Sequence, residues 1–190
     1  MCDGRLTIGL AYRDVEHVHK FREFLSSNHP INRRQTISFD KPTEEARIRI
    51  GSQYMCNSLA KWGVMPAKSL ILKHPAGIAN ELMRHFWRGV IDGDGTITTS
   101  LSSSSGKPQW AVLLTAGNAE MPQGFLDFIH HNHIETNATV RQEKEHKFRV
   151  RFGGARLAQE VASLLYEGAT VYLDRKHEKY LECMATPRLR

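Results

Sequence analysis

The sequence predicts an α/β (α+β) fold made of two copies of one helix-and-antiparallel-strand unit, the first copy incomplete at its amino end. Three observations carry this prediction. Apolar residues between Leu82 and Ile91 recur at helical spacing and run into a glycine-edged pair of acids, Asp92-Gly-Asp-Gly95. Arg47-Ile-Arg-Ile-Gly51 and Arg149-Val-Arg-Phe-Gly153, offset by 102 positions, alternate charged and apolar residues as half-buried strands do. Two helical segments stand 104 positions apart: Asp14-Val-Glu16 leads to Phe21, Phe24 and Leu25, and Asn118-Ala-Glu120 leads to Phe125, Phe128 and Ile129. Two matches in the same order at nearly equal spacing point to a duplicated unit.

The first copy, residues 1–75, reads as a strand over 5–12, a helix over 15–27, strands over 34–39 and 46–51, and a helix over about 52–62. Asp14 and Asn118 stand as matching N-caps, with Glu16 and Glu120 in first turns where the helix dipole favours them. An irregular link bearing Pro66 and Pro75 follows. The second copy, residues 76–190, opens with a helix over about 78–94. Met83, Trp87 and Ile91 are four apart, as are Leu82, Phe86 and Val90, so both rows share one face. Gly89 and Gly93 leave a bare strip for close approach of another backbone, and Gly93 and Gly95 stop the helix. Next come a strand over 95–101, a serine-rich tip at Ser102–Pro108, a strand over 109–116, a helix over 119–131, and strands over about 137–143 and 147–153. A long helical tail over 155–183 is interrupted at Gly168.

The acid at the end of the 78–94 helix is the main chemical signal. A carboxylate there faces the negative end of the helix dipole, which is unfavourable without a nearby cation. The pattern points to a metal site at a subunit or repeat interface. A counterpart of Asp94 lying 104 positions earlier would fall before residue 1, so the first copy lacks its opening helix and most or all of its first strand. Met1-Cys-Asp-Gly4 is either a stump of that motif, with Asp3 as a second acid, or a frayed terminus.

Composition narrows the partner. The 190 residues hold 26 Lys plus Arg against 20 Asp plus Glu, giving a net charge of +6 and a pI near 9.4. That excess favours a polyanion, with nucleic acid ahead of an acidic membrane surface. The apolar fraction of 41% suffices for a globular core. Cys2, Cys56 and Cys183 are scattered and odd in number, and neither a signal peptide nor a membrane-length apolar run is visible. These features lead to the expectation of a reduced, soluble protein that is not secreted and lies in the cytoplasm, an organelle or the nucleoid.

On these residues the chain resembles the LAGLIDADG homing endonucleases of the dodecapeptide type. Trp87-Arg-Gly-Val-Ile-Asp-Gly-Asp-Gly95 is similar to the signature nonapeptide, Trp62-Gly-Val-Met-Pro-Ala-Lys-Ser69 to the family's linker block, and Leu173-Asp-Arg-Lys-His-Glu-Lys-Tyr-Leu181 to its closing helix. The resemblance covers nearly the whole chain. It implies duplicated αββαββα repeats about a pseudo-twofold axis, two saddle-shaped sheets in the DNA major groove, and two motif helices that each aim an aspartate at a scissile phosphate. It also implies divalent metal, normally Mg2+, and a staggered double-strand break. Hard oxygen ligands suit magnesium, metals near attacking and leaving oxygens favour in-line displacement, and a two-stranded ribbon fits the major groove. By position Asp94 is the catalytic and metal-binding acid, with Asp3 the second only if the amino end is a motif remnant. Asp92 is expected to face solvent or to help end the helix. Lys68 and Lys176 are candidates to orient water or stabilise the leaving group; a phosphate contact or a solvated lysine is the other reading of each.

Residues expected to face double-stranded DNA are Arg33, Arg34, Arg47, Arg49, Arg141, Gln142, Lys147, Arg149 and Arg151, with Lys107 reaching phosphates from the hairpin tip. Ordinary solvated strand faces are the alternative. Two other local readings are weaker. Placing Asp92 and Asp94 at positions three and five of a calcium loop puts Val90 at one and Leu101 at twelve, where acids are required. His130, His131 and His133 have no second ligand pair for zinc. The exposed face of Leu82, Met83, Phe86, Trp87 and Ile91 needs a cover, either a second copy or a separately encoded amino-terminal piece; otherwise the reading frame is incomplete. The alternative function is a non-cleaving nucleic-acid-binding protein, an intron maturase or a regulator, on the same fold.

Overall fold

The computed structural model describes residues 4–38, 41–64, 77–101, 106 and 108–187. The chain divides into two compact units, Met1–Pro66 and Ala67–Arg190. The expected division after residue 75 falls outside the described residues.

In the first unit β1 (Arg5–Ala11) leads through a single 3-10 turn (Tyr12–Asp14) to α1 (Val15–Phe24), β2 (Ile31–Ser38), β3 (Lys41–Gly51) and α2 (Gln53–Lys61). The strands form an antiparallel sheet in the order β1-β3-β2. β3 begins well before the expected residue 46 because Lys41–Glu45 ladders onto Arg34–Ser38. That ladder is mostly polar and offers no apolar alternation to read. α1 ends before the expected residue 27, and Ser26 takes a left-handed φ of 48° that breaks the helix. Ala46, Ile48 and Ile50 lie on one face of β3 and form a small core with Val18 of α1. Glu45, Arg47 and Arg49 alternate with them and so occupy the opposite, open face.

The second unit runs α3 (Asn80–Gly93), β4 (Gly95–Leu101), β5 (Pro108–Ala116), α4 (Glu120–His131), β6 (Arg141–Lys144), β7 (Lys147–Gly153), α5 (Ala155–Tyr166) and α6 (Asp174–Ala185). Its antiparallel sheet has the order β4-β5-β7-β6. Trp87 and Ile91 of α3, Val112 and Leu114 of β5, Phe125 and Ile129 of α4, and Val150 and Phe152 of β7 share one core. The helical tail breaks into α5 and α6, and Gly168 between them takes a φ of +66° that favours glycine. β6 starts four residues later than expected. Residues 134–140 alternate half-buried and exposed, and Ile134, Ala138 and Val140 pack on the core, but this stretch forms no ladder. Among the described residues no helix is long and apolar enough to cross a membrane.

The duplication is visible in the ladders. Arg47 stands between Gly9 and Asn32, and Arg149 stands between Thr115 and Arg141. Gly51 faces Arg5, and Gly153 faces Ala111. The series β1, α1, β2, β3, α2 is thus repeated by β5, α4, β6, β7, α5, with matching strand order. α3 and β4 have no counterpart among the described residues of the first unit.

The two N-terminal helix signals differ in use. The Asn118 side-chain oxygen accepts the amides of Glu120 (3.0 Å) and Met121 (3.4 Å) and so caps α4. Asp14 occupies the N-cap position of α1 but its side chain makes no capping bond. Asn118→Ala will therefore destabilise the second unit by about 1 kcal/mol. Urea unfolding checks this; an unchanged midpoint would show that the cap carries no weight.

Candidate metal and nucleic-acid site

α3 places the conspicuous acid by being amphipathic along most of its length. Trp87 and Ile91 are fully buried, whereas Leu82 is 53% exposed and Phe86 and Val90 are half-buried. The second expected apolar row is therefore open at its edge. The helix ends at Gly93, with Asp94 at the C-cap and its amide bonded to the Val90 carbonyl (2.8 Å). Gly95 starts β4 at once. A Cβ at Gly95 would stand 2.5 Å from the Ile91 Cδ1 and 2.6 Å from its Cα, so the strand leaves the helix in a turn too tight for any side chain. Asp94 is exposed at this junction.

Asp92 lies elsewhere than expected. It is 6% exposed and faces the protein interior, not solvent. Its Oδ1 accepts the Tyr166 hydroxyl (2.6 Å) and its Oδ2 accepts the Leu173 amide (3.0 Å). The physical reason is helical phase: Arg84, Arg88 and Asp92 are four apart and form a polar row beside Trp87 and Ile91. Arg88 donates to the carbonyls of Val171 (2.8 Å) and Leu165 (3.1 Å) and pairs with His85 Nδ1 (2.9 Å). Arg84 donates to the Glu167 carbonyl. This row fastens α3 to the connection between α5 and α6. Burial lowers the Arg88 pKa, with the Asp92 charge opposing that effect. Burial also raises the Tyr166 pKa, aided by the Asp92 charge and the hydrogen bond to it. Desolvation, then Arg88 and Arg84, holds His85 below its usual value. Sequence reading missed Arg84, Arg88 and Tyr166; the spacing of two arginines and an acid by four was the available signal.

Lys176 is also buried, at 6% exposure in the first turn of α6. Its Nζ donates to the carbonyl of Gly95, the residue after Asp94. The ammonium thus serves the backbone at the acid's junction. It stands neither at an exposed phosphate-contacting position nor in solvent, because the first turn of α6 packs beneath the start of β4. Asp3, Lys68 and Lys107 lie outside the described residues.

Strand register sorts the expected DNA-facing residues. Arg34, Arg47 and Arg49 occupy the open face of the first sheet, and Arg141, Lys147, Arg149 and Arg151 that of the second. Arg5, not anticipated, joins the first set through its pairing with Gly51. Arg33 does not belong with them. It stands opposite the buried Ala46, so its side chain emerges on the helix-packed face. There it makes a two-pronged ion pair with Glu44 (3.0 and 2.6 Å) and lies 4.3 Å over the Tyr12 ring. Gln142 stands opposite Phe148 and likewise turns from the open face. On the open faces Arg47 is gripped by Glu45 (3.2 and 2.8 Å), and Glu143 pairs with both Arg149 and Lys147. Arg34, Arg49, Arg141 and Arg151 are exposed and carry no ion pair among the described residues.

Among the described residues no three His, Cys, Asp or Glu side chains cluster to hold a metal ion. His130, His131 and His133 are exposed around the end of α4. A magnesium ion typically binds through one or two carboxylates together with phosphate oxygens and waters, not in a protein cage. The single exposed carboxylate of Asp94 fits that manner of binding and does not fit a four-ligand structural zinc site.

The fold is that of the LAGLIDADG homing endonucleases. Meganuclease I-SmaMI bound to uncleaveable DNA matches over 95% of this chain and 78% of its own, with a TM-score of 0.62 and 10% identity. LAGLIDADG homing endonuclease I-GzeII in complex with its DNA target matches over 92% and 77%, with a TM-score of 0.57 and 8% identity. LAGLIDADG meganuclease I-AabMI bound to uncleaved DNA matches over 95% and 79%, at 0.56 and 11%. Homing endonuclease I-CvuI, in complex with DNA in the presence of 2 mM Mg, is covered over 66% of its chain by 55% of this one, at a TM-score of 0.41. No protein-family model and no curated protein sequence matches the chain.

Proposed function

We propose that this chain is a site-specific homing endonuclease that makes metal-dependent, staggered double-strand breaks in DNA, alone or with a second copy or a separate amino-terminal piece. The observation that carries the reading is Asp94: an exposed carboxylate at a helix C-terminus, joined directly to the edge strand of a sheet whose open face holds Arg141, Arg149 and Arg151. A divalent cation, Mg2+ by its ligand preference, would be held by Asp94 with phosphate oxygens and would stabilise charge on the attacking and leaving oxygens when bound. In the hydrolysis a water gives up a proton as its oxygen forms a bond to phosphorus, the bond from phosphorus to the leaving sugar oxygen breaks, and that oxygen takes up a proton from solvent. The chain's own contribution is placement. α3 carries Asp94 to the phosphate, and the open-face arginines hold the duplex in register through its backbone.

Selection of tight binders from a randomised duplex library, followed by incubation with Mg2+ or EDTA, tests the reading. The expected result is cutting of both strands of the selected duplex in Mg2+ and none in EDTA. Sequence-selective binding with no cutting in any divalent cation would replace the nuclease by the non-cleaving binder.

Register supplies a second expectation. Arg151→Ala will weaken duplex binding and lower the slope of log affinity against log salt by about 1, as for one lost phosphate contact. Arg33→Ala, on the opposite face, will leave that slope unchanged. Salt-titrated binding isotherms of the two variants check this, and equal slopes would contradict the assignment of faces.

A further inference from the structure

We infer that Asp92 and Lys176 are positioning residues for Asp94, clamping both sides of the helix-to-strand junction and so setting where its carboxylate stands when a divalent cation is bound. The inference deepens the cleavage reading above and rests on it. The junction is short, from Asp92 to Gly95, with exposed Gly93 and Asp94 in its middle. On the helix side, the two Asp92 oxygens accept the Tyr166 hydroxyl and the Leu173 amide. On the strand side, the Gly95 carbonyl accepts the Lys176 ammonium. All three donors come from one stretch, Tyr166 to Lys176, which closes α5 and opens α6. Arg88 adds two bonds to the same region, through the carbonyls of Leu165 and Val171. A glycine-flanked acid has little side-chain packing to hold it, so its position is only as fixed as the residues either side.

The chemistry of the clamp argues for placement over stability. A carboxylate and an ammonium buried in a core are no more stabilising than apolar groups of the same volume, and often less so. Hydrogen bonds to both carboxylate oxygens and to one particular carbonyl do define direction, which apolar packing does not. A metal ligand displaced by a fraction of an ångström loses affinity, and groups that orient metal ligands matter for this reason.

The test uses the full chain with its selected duplex. Mn2+ binding by the protein–duplex complex is followed by electron paramagnetic resonance, the Mg2+ dependence of single-turnover cutting is measured beside it, and duplex affinity is measured in EDTA. Asp92→Asn and Lys176→Met are expected to weaken Mn2+ binding by about 10- to 100-fold and to raise the Mg2+ requirement to match. Duplex affinity in EDTA is expected to stay at the wild-type value, which general unfolding would not allow. Tyr166→Phe removes one hydrogen bond, keeps the ring, and is expected to give a smaller shift in the same direction. It decides the matter if the other two variants fail to fold. Mn2+ affinity lost in Asp94→Asn but kept in Tyr166→Phe and in each folded clamp variant would overturn this inference alone. Mn2+ affinity unmoved by Asp94→Asn would overturn the cleavage reading and this inference together.

Discussion

Asp94→Asn will lower single-turnover cutting of a bound duplex on the order of a thousandfold. The substitution keeps the size of the side chain and one oxygen but removes the charge that would hold a cation against phosphate. A metal ion contributes several kcal/mol of transition-state charge stabilisation, and each 1.36 kcal/mol is about tenfold in rate. Stability should move the other way. Asp94 is exposed at the C-cap of α3, where the helix dipole disfavours a negative charge. Neutralising it is expected to leave the fold unchanged or to stabilise it by about 0.3–1 kcal/mol. Duplex affinity in EDTA, set mainly by phosphate contacts elsewhere, should not fall. Rates from rapid-quench cutting, urea midpoints and EDTA binding isotherms check the three parts. A cutting rate within tenfold of wild type would remove Asp94 from the chemistry.

The residues differ in how far they could be read from the chain alone, for physical reasons. The apolar rows of α3 and the alternating strands Arg47–Gly51 and Arg149–Gly153 were legible because burial imposes a period on nearby residues. The duplicated unit was legible for the same reason, and its matched registers follow. Arg33 and Arg34 were not separable, since adjacent residues on a strand face opposite ways and only the register with Ala46 and Glu45 assigns each its side. Asp92 was misread because what makes it tolerable in the core lies far along the chain. Its partners Tyr166 and Leu173 are 74 and 81 residues away, and one of them is a backbone amide that no side-chain pattern reports. The burial of Lys176 was hidden in the same way, since its partner is the carbonyl of Gly95, 81 residues off. The exposed acid could thus be found from its motif, whereas the contacts of the buried polar groups around it could not.

Trp87→Ala will destabilise the second unit by about 3–5 kcal/mol. The indole is fully buried, and its ring lies 5.2 Å from Phe125, 6.2 Å from Phe128 and 5.0 Å from Phe86, centroid to centroid. Removing it opens a void between α3 and α4 that rings fixed by the sheet beneath can only partly fill. Phe125 is itself wedged edge-on against Phe152 of β7 at 5.4 Å, so the gap cannot close by a simple slide. The apolar row beside it gives the control: Leu82, 53% exposed, should lose no more than about 0.5 kcal/mol on truncation to Ala. Hydrogen exchange read by mass spectrometry localises the effect, because the units have separate cores. Amides of α4, β5 and β7 should exchange about 100- to 4,000-fold faster in Trp87→Ala, taking tenfold for each 1.4 kcal/mol. Those of β1 and β3, which lean on Val18 and Ile48, should keep their rates. A loss below about 1 kcal/mol would mean that α3 does not take its place from this core. The direction in which it aims Asp94 would then have to be set by the polar row alone.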